Sequence, residues 1–345
     1  MSHEFDSGLF VGDAAWHGLG VVVPTPPTTT AAAMELAGMN WEVVTQPVYE
    51  DVLDSELPIE QDGYRLVQVN PNYKKLVRSD NNFELQVCKK DWTPVQNSEA
   101  FGWFDPLIAD GDVELSAAVS LKQGKRVAIT AKIKDAGLDV VNGDKVEGFL
   151  LLFNSHDGTL GVGVRFTNTR VVCHNTLSMN ITQMGKLSSE GAFTWSGKNA
   201  SIKHTRSVSA GMEAVRNALD IHKRAFRETI EAYRAMAQVQ LKAGDFEKFV
   251  AATMRSHAKF DSPLELRCYD RLVQNFESGL GIDIPGVGGT AWAAYNAVTD
   301  WTTHQRGKKG DNLDTLRDRL DANWFGSGAA IDRSAYAAAI ELTLA

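Results

Sequence analysis

Near the middle of the chain, RFTNTRVVCHNTLSM at residues 165 to 179 sets a cysteine beside a histidine among amides, hydroxyls and two arginines. Three chemistries fit such a stretch: thiolate catalysis, metal ligation and contact with an anion. Cys173 and His174 are adjacent, so on a strand they leave by opposite faces and cannot act together as nucleophile and base. A metal site would need His156 to meet His174 through the fold. The other histidines, among them His17, His204, His222, His257 and His304, show no HxxxH or HExxH spacing. Cys88, Cys173 and Cys268 form no CxxC pair and are odd in number, which argues against a zinc knuckle and a disulfide framework. Cys173 reads as a small apolar residue. These observations predict no catalytic residue, no metal and no cofactor.

Phosphate loops fare no better. In GAFTWSGKN, Gly191 and Gly197 stand one residue too far apart for a P-loop, and Asn199 replaces the magnesium-holding Ser or Thr. GVGG at 286 to 289 follows no strand, so a dinucleotide fingerprint is missing too. An ATP-driven motor is therefore not expected.

Anion contact is the chemistry that remains. The net charge of −8 opposes nucleic acid, but its distribution does not. Residues 1 to 62 hold 11 acids and no Lys or Arg, leaving 35 basic against 32 acidic residues in the remainder. Such asymmetry fits a polyanion-binding face beside an acidic segment, or simply helices with solvated cations. Lys89 and Lys90 flank Trp92 at a strand end, and KQGKR projects Lys122, Lys125 and Arg126 from a hairpin tip, followed by Lys132 and Lys134. In RFTNTR, parity puts Arg165, Thr167 and Thr169 on one face and Phe166, Asn168 and Arg170 on the other. Lys203 and Arg206 add two more cations. Cations interleaved with Asn and Thr can hold phosphate oxygens without reading bases. Trp92 is the leading candidate for stacking on a base, with Tyr73, Phe101 and Trp103 as further aromatics; each could equally be core. The cations could equally be edge-strand protection.

The elements that must position these residues are legible as patterns. The first 62 residues read as an irregular acidic arm with a short helix capped by the Thr28–Thr30 run and closed at Gly38, then a strand near 41 to 47. Residues 63 to 190 read as hairpins, with turns at Asp80-Asn81-Asn82, Gln123-Gly124 and Asn154 to Gly158. A helix inserted after Asn97 or Ser98 buries Phe101, Phe104 and Leu107. From 191 to 345 the chain reads as mainly helical, with one long amphipathic helix over 201 to 243. Its apolar stripe (Val208, Met212, Val215, Leu219, Phe226, Ile230, Tyr233, Ala237) would serve a partner helix or a second subunit. The predicted class is α+β: an antiparallel hairpin-built sheet with inserted helices, then a mainly helical C-terminal part. No apolar run approaches the roughly 20 residues that span a bilayer, and the acidic N-terminus lacks a signal peptide's basic region, so a cytoplasmic protein is expected.

Several blocks carry a resemblance. KKDWTPVQNSEAFGWFDPL, FNSHDGTLGVGVRFTNTRVVCHNTL, AWAAYNAVTDWTTHQRG and NWFGSGA resemble the phage/plasmid-like proteins of unknown function, with similarity running from WHGLG to the tail. That resemblance implies a mobile-element setting and transfers no catalytic residue. In plan the chain is also similar to the single-strand annealing proteins of phage recombination, which assemble as rings or filaments and bind DNA along a basic groove; this is an analogy of architecture.

The expectation is an ATP-independent bacteriophage nucleic-acid-binding protein that holds single-stranded DNA for annealing in recombination or replication. It would self-associate through 201–243. Two alternatives stay open: a protein that binds and inhibits a host defence component, and an enzyme or nucleotide-binding protein using His156, Asp157, Cys173 and His174.

Overall fold

The alternating runs between residues 113 and 170 pair as antiparallel hairpins. The computed structural model describes residues 5–12, 20–52, 60–61, 64–65, 67–170, 175–177, 184–187, 193–196, 211–254, 263–306 and 322–344. The strands are β1 Phe5–Val11, β2 Val21–Val23, β3 Val43–Asp51, β4 Glu60–Gln61, β5 Tyr64–Arg65, β6 Val67–Arg78, β7 Glu84–Lys89, β8 Val113–Leu121, β9 Arg126–Val141, β10 Asp144–Ser155, β11 Gly163–Arg170, β12 Asn175–Leu177, β13 Met184–Leu187 and β14 Phe193–Ser196. The helices are α1 Thr30–Leu36, α2 Asn97–Phe101, α3 Asp105–Ala109, α4 Gly211–Gln238, α5 Asp245–Met254, α6 Pro263–Ser278, α7 Ala291–Asp300 and α8 Ser327–Leu344. This is the expected α+β architecture with a mainly helical C-terminal part.

One sheet runs β12-β11-β10-β9-β8-β1-β2; a second runs β3-β6-β7; β4-β5 and β13-β14 are small pairs. The opening of the chain departs from the irregular arm expected of it. β1 lies inside the large sheet, antiparallel to β8 and parallel to β2. GLF and VVV are extended apolar runs that composition alone hides among Gly and Pro.

Period-two alternation gives the large sheet two apolar faces. Val127, Ile129, Ala131, Ile133, Leu150 and Leu152 enter the main core, whereas Ala128, Leu151 and Phe153 join Phe5, Phe10 and Trp324 on the opposite face. A bulge between Leu115 and Ala117 lets Leu115 and Ala118 share the main-core face. Each fully buried Val, Ile, Leu or Phe among these contributes about 1.5–3 kcal/mol of apolar burial.

The inserted helix is found, with Phe101, Phe104 and Leu107 fully buried. Its cap is Gln96, one residue before Asn97 and two before Ser98, the expected caps, and it forms a box with Glu99. Residues 201 to 210 of the predicted long helix lie outside the described residues. From Phe226 onward its stripe (Phe226, Ile230, Tyr233, Ala237) is buried within the chain. Tyr233 meets Trp292 and Tyr295 of α7 and Tyr336 of α8, with ring centroids 4.7, 5.8 and 6.0 Å away. Trp292 also donates to Asp144 of β10 at 2.8 Å, which ties the helices to the sheet. Among the described residues no helix is long and apolar enough to cross a membrane.

Candidate nucleic-acid interface

The residues best placed to meet an external ligand lie on the small sheet. Of ten large apolar side chains exposed among the described residues, Tyr49, Val67, Val69, Tyr73 and Val87 all belong to β3, β6 or β7. Register pairs Tyr73 with Lys89, and Lys75 with Val87 on one side and Gln46 on the other. Antiparallel partners share a face, so Tyr73, Lys75, Val87 and Lys89 form one patch with ring, methyls and ammonium groups side by side. Tyr73 is 46% exposed and Val87 50%. Local chemistry holds this arrangement. Asn70 Oδ1 accepts from the backbone N–H of Asn72 at 2.9 Å and of Tyr73 at 3.1 Å, and its amide donates to Glu50 across the ribbon. Lys90, exposed, is anchored by its own N–H to the Asn72 carbonyl at 2.9 Å.

The other end of this sheet is fastened to the body. Asn82, at φ +57, completes the β6–β7 turn, a left-handed position that Asn tolerates. Arg78, almost fully buried, donates to Asp6 of β1 at 2.6 Å and to Asp80 at 2.9 and 2.6 Å, and lies over the Trp41 ring at 4.5 Å. Burial alone would pull the Arg78 pKa down; the bonds and charges of Asp80 and Asp6 outweigh it and raise it. The Arg78 hydrogen bond holds Asp80 below the usual carboxylate range. The β8–β9 tip docks here. Gly124 packs on Trp41, and Lys125 Nζ sits 5.8 Å from the Phe83 ring centre. Lys125 is thereby set beside the sheet that carries Lys75 and Lys89. Lys122 begins the same tip in a left-handed conformation, φ +53, and is half-buried.

The remaining expected contacts are placed elsewhere. Trp92 is half-buried against the main core, as is Trp103, whose Nε1 donates to the Ala100 carbonyl at 2.7 Å. Arg126 is largely buried: Nη2 donates to Thr159 Oγ1 at 3.1 Å, Nε lies 4.0 Å from Asp157, and the guanidinium sits 5.8 Å from the Phe325 ring. Arg165 donates to the Trp324 carbonyl at 3.0 Å and is packed on Phe153 and Phe325 at 5.0 and 5.6 Å. Burial, with Arg333 nearby, pulls its pKa down to about 10. Arg170 pairs through its backbone with Val146 and Asn175. Lys132 is bound with Lys145 to one carboxylate oxygen of Glu147, at 2.7 and 2.9 Å. This trio lines an open groove of about 640 Å³ beside Pro26, Pro27 and Ile133. Lys203 and Arg206 lie outside the described residues. The structure thus brings Tyr73, Lys75, Lys89 and Lys90 to one sheet, sets Lys125 of the β8–β9 tip beside Phe83 at that sheet's turn end, and commits Arg126 and Arg165 to internal packing on another.

Of the residues considered for catalysis, Cys173 and His174 lie outside the described residues. His156 is fully buried, donating from Nε2 to Asn97 Oδ1 at 2.9 Å, with its ring edge-on to Trp41 at 5.5 Å. Asp157 closes its own turn. Burial would raise its pKa, but hydrogen bonds from Ser155 and Thr159 and the charge of Arg126 hold it low. Both groups organise the loop that follows β10. Lys75 escaped the sequence reading, although NYKKLV alternates so that Tyr73 and Lys75 share a face.

Comparison with known proteins gives one family. The model described as Domain of unknown function (DUF932) matches residues 84–324, and the chain belongs to that family. No curated protein and no solved structure matches it.

Proposed function

We propose that this family member binds single-stranded DNA, without ATP, on the β3–β6–β7 sheet, and that it serves strand annealing in phage or plasmid recombination or replication. One observation carries the reading: an exposed tyrosine stands directly across from an exposed lysine, with a second lysine two residues along and two more at the ends of the sheet. A base stacked on an aromatic ring contributes about 1–3 kcal/mol and tolerates any sequence, while lysines at strand spacing follow the phosphates. The phage setting rests on the block resemblance. Self-association through the 201–243 segment belongs to the same proposal, and would use the positions N-terminal to Phe226.

The test is fluorescence anisotropy with a labelled single-stranded oligonucleotide over a salt series. Four lysine–phosphate contacts predict a slope of log affinity on log salt of about −3, or roughly fiftyfold weaker binding between 50 and 200 mM salt. Tyr73→Ala weakens binding roughly 5- to 150-fold. Lys75→Glu with Lys89→Glu abolishes it. No binding at 50 mM salt, or affinity unchanged by these variants, overturns the proposal; a stoichiometric host protein recovered on the same sheet would then replace it.

A further inference from the structure

We infer that the outer half of the β3–β6 ribbon docks onto a second copy of this chain, seating on the lysine-rich inner half of that copy's β3–β6–β7 sheet. The inference shares this lysine surface with the nucleic-acid reading but does not depend on it.

No residue from Val44 to Asp51 or from Val67 to Lys75 is buried, although at the inner end Cys88, across from Lys74, packs against the main core. The ribbon's outer half carries Tyr49 paired with Val69, 60% and 55% exposed, and Val67 at 44%. An aromatic and two β-branched side chains on an exposed ribbon are the chemistry of a contact surface. Charge selects the occupant. The outer half carries Glu50 and Asp51, and the whole chain before Asp62 has no Lys or Arg. The inner half carries Lys75 and Lys89 on one face, with Lys90 alongside. Opposite charges therefore occupy the two ends of one ribbon, on either side of an irregularity at Asn70 to Asn72. Val67 and Lys75 are eight residues apart on β6, at most about 26 Å at strand rise. The acidic end cannot fold back onto its own lysines, but it can reach those of another molecule. Such a contact is heterologous, ribbon to inner half, so a docked pair still offers one free surface on the first copy and one free ribbon on the second. Docked ribbon and bound oligonucleotide would exclude one another.

The experiment is sedimentation velocity of the full chain across concentration, at 50 and 500 mM salt, with circular dichroism to confirm folding. The wild type is expected to associate as concentration rises at low salt and to dissociate at high salt. Tyr49→Ser with Val69→Ser, and separately Asp51→Lys with Val69→Lys, should abolish this salt-sensitive association while leaving any association through 201–243 in place; Glu50 is kept because it holds Asn70. Lys75→Glu, Lys89→Glu and Lys90→Glu together should abolish it too. Mixing this last variant with Asp51→Lys/Val69→Lys should restore association, since each reversed surface then meets its complement. A wild type that stays monomeric at every concentration overturns the inference, as does association indifferent to these variants or a mixture that fails to reassociate. Anisotropy at protein concentrations below self-association separates the two readings. A wild type that stays monomeric yet binds oligonucleotide sinks only the docking, and a wild type that associates without binding oligonucleotide sinks only the nucleic-acid reading.

Discussion

Gly124→Ala tests how the Lys125-bearing tip is locked to the small sheet. Gly124 sits at φ +91, and a Cβ there would lie 2.7 Å from Trp41 Cζ2 and 3.0 Å from both Trp41 Cη2 and Arg78 Cδ. Trp41 cannot step aside: it is buried between the Arg78 guanidinium at 4.5 Å and the His156 ring at 5.5 Å. Two costs therefore add. The left-handed backbone costs a residue with a Cβ about 1–2 kcal/mol, and forcing a methyl into a filled contact costs about 1–3 kcal/mol. Gly143→Ala is the matched control, because Gly143 lies at φ +88 with nothing within 4 Å of its would-be Cβ. It pays only the backbone cost. Urea unfolding followed by circular dichroism should place Gly124→Ala about 2–5 kcal/mol below wild type and Gly143→Ala about 1–2 kcal/mol below it. Equal losses in the two variants would refute the claim that Trp41 and Arg78 form an unyielding wall behind the tip.

Arg165→Met should leave both stability and oligonucleotide affinity unchanged or slightly improved, because the cation is held by one carbonyl and two rings and, among the described residues, no carboxylate compensates its burial; urea midpoints and anisotropy check this. Asp332, fully buried and accepting from Thr302 Oγ1 at 2.6 Å, has its pKa raised by burial despite Thr302 and the charges of Arg306 and Arg333. Below about pH 4 folded and unfolded chains both hold this proton; above it only the folded chain does, so stability drains as pH rises. Asp332→Asn should remove that loss, giving a shallower decline in urea midpoint between pH 5 and 8. Glu147 has the opposite sign. Burial would raise its pKa, but Lys132 and Lys145 hold it low, so its stabilisation is present above about pH 4.3 and lost as acid protonates it. Glu147→Gln should therefore lose less stability than wild type between pH 5 and 3 in the same assay.

Much of the fold was legible because local chemistry states it locally. The β6–β7 turn announces itself in Asp80-Asn81-Asn82, and the Phe101, Phe104, Leu107 spacing defines a buried helical face before any partner is known. The mainly helical texture of the C-terminal part is likewise met by α4 to α8. β1 was missed because a central strand needs its neighbours: FDSGLFV becomes one only beside β8, more than a hundred residues later.

Sequence alone determined which way each side chain leaves its own backbone, since a period of two or 3.6 is a property of the chain. Tertiary structure alone decided which of those faces meets solvent. Arg165 and Lys89 look alike in sequence, both cations at alternating positions on hairpin strands. Trp324 and Phe325, some 160 residues downstream, cover the first; Lys89 remains exposed beside Tyr73. Covering is a contact between distant segments, and the spacing of neighbours carries no record of it.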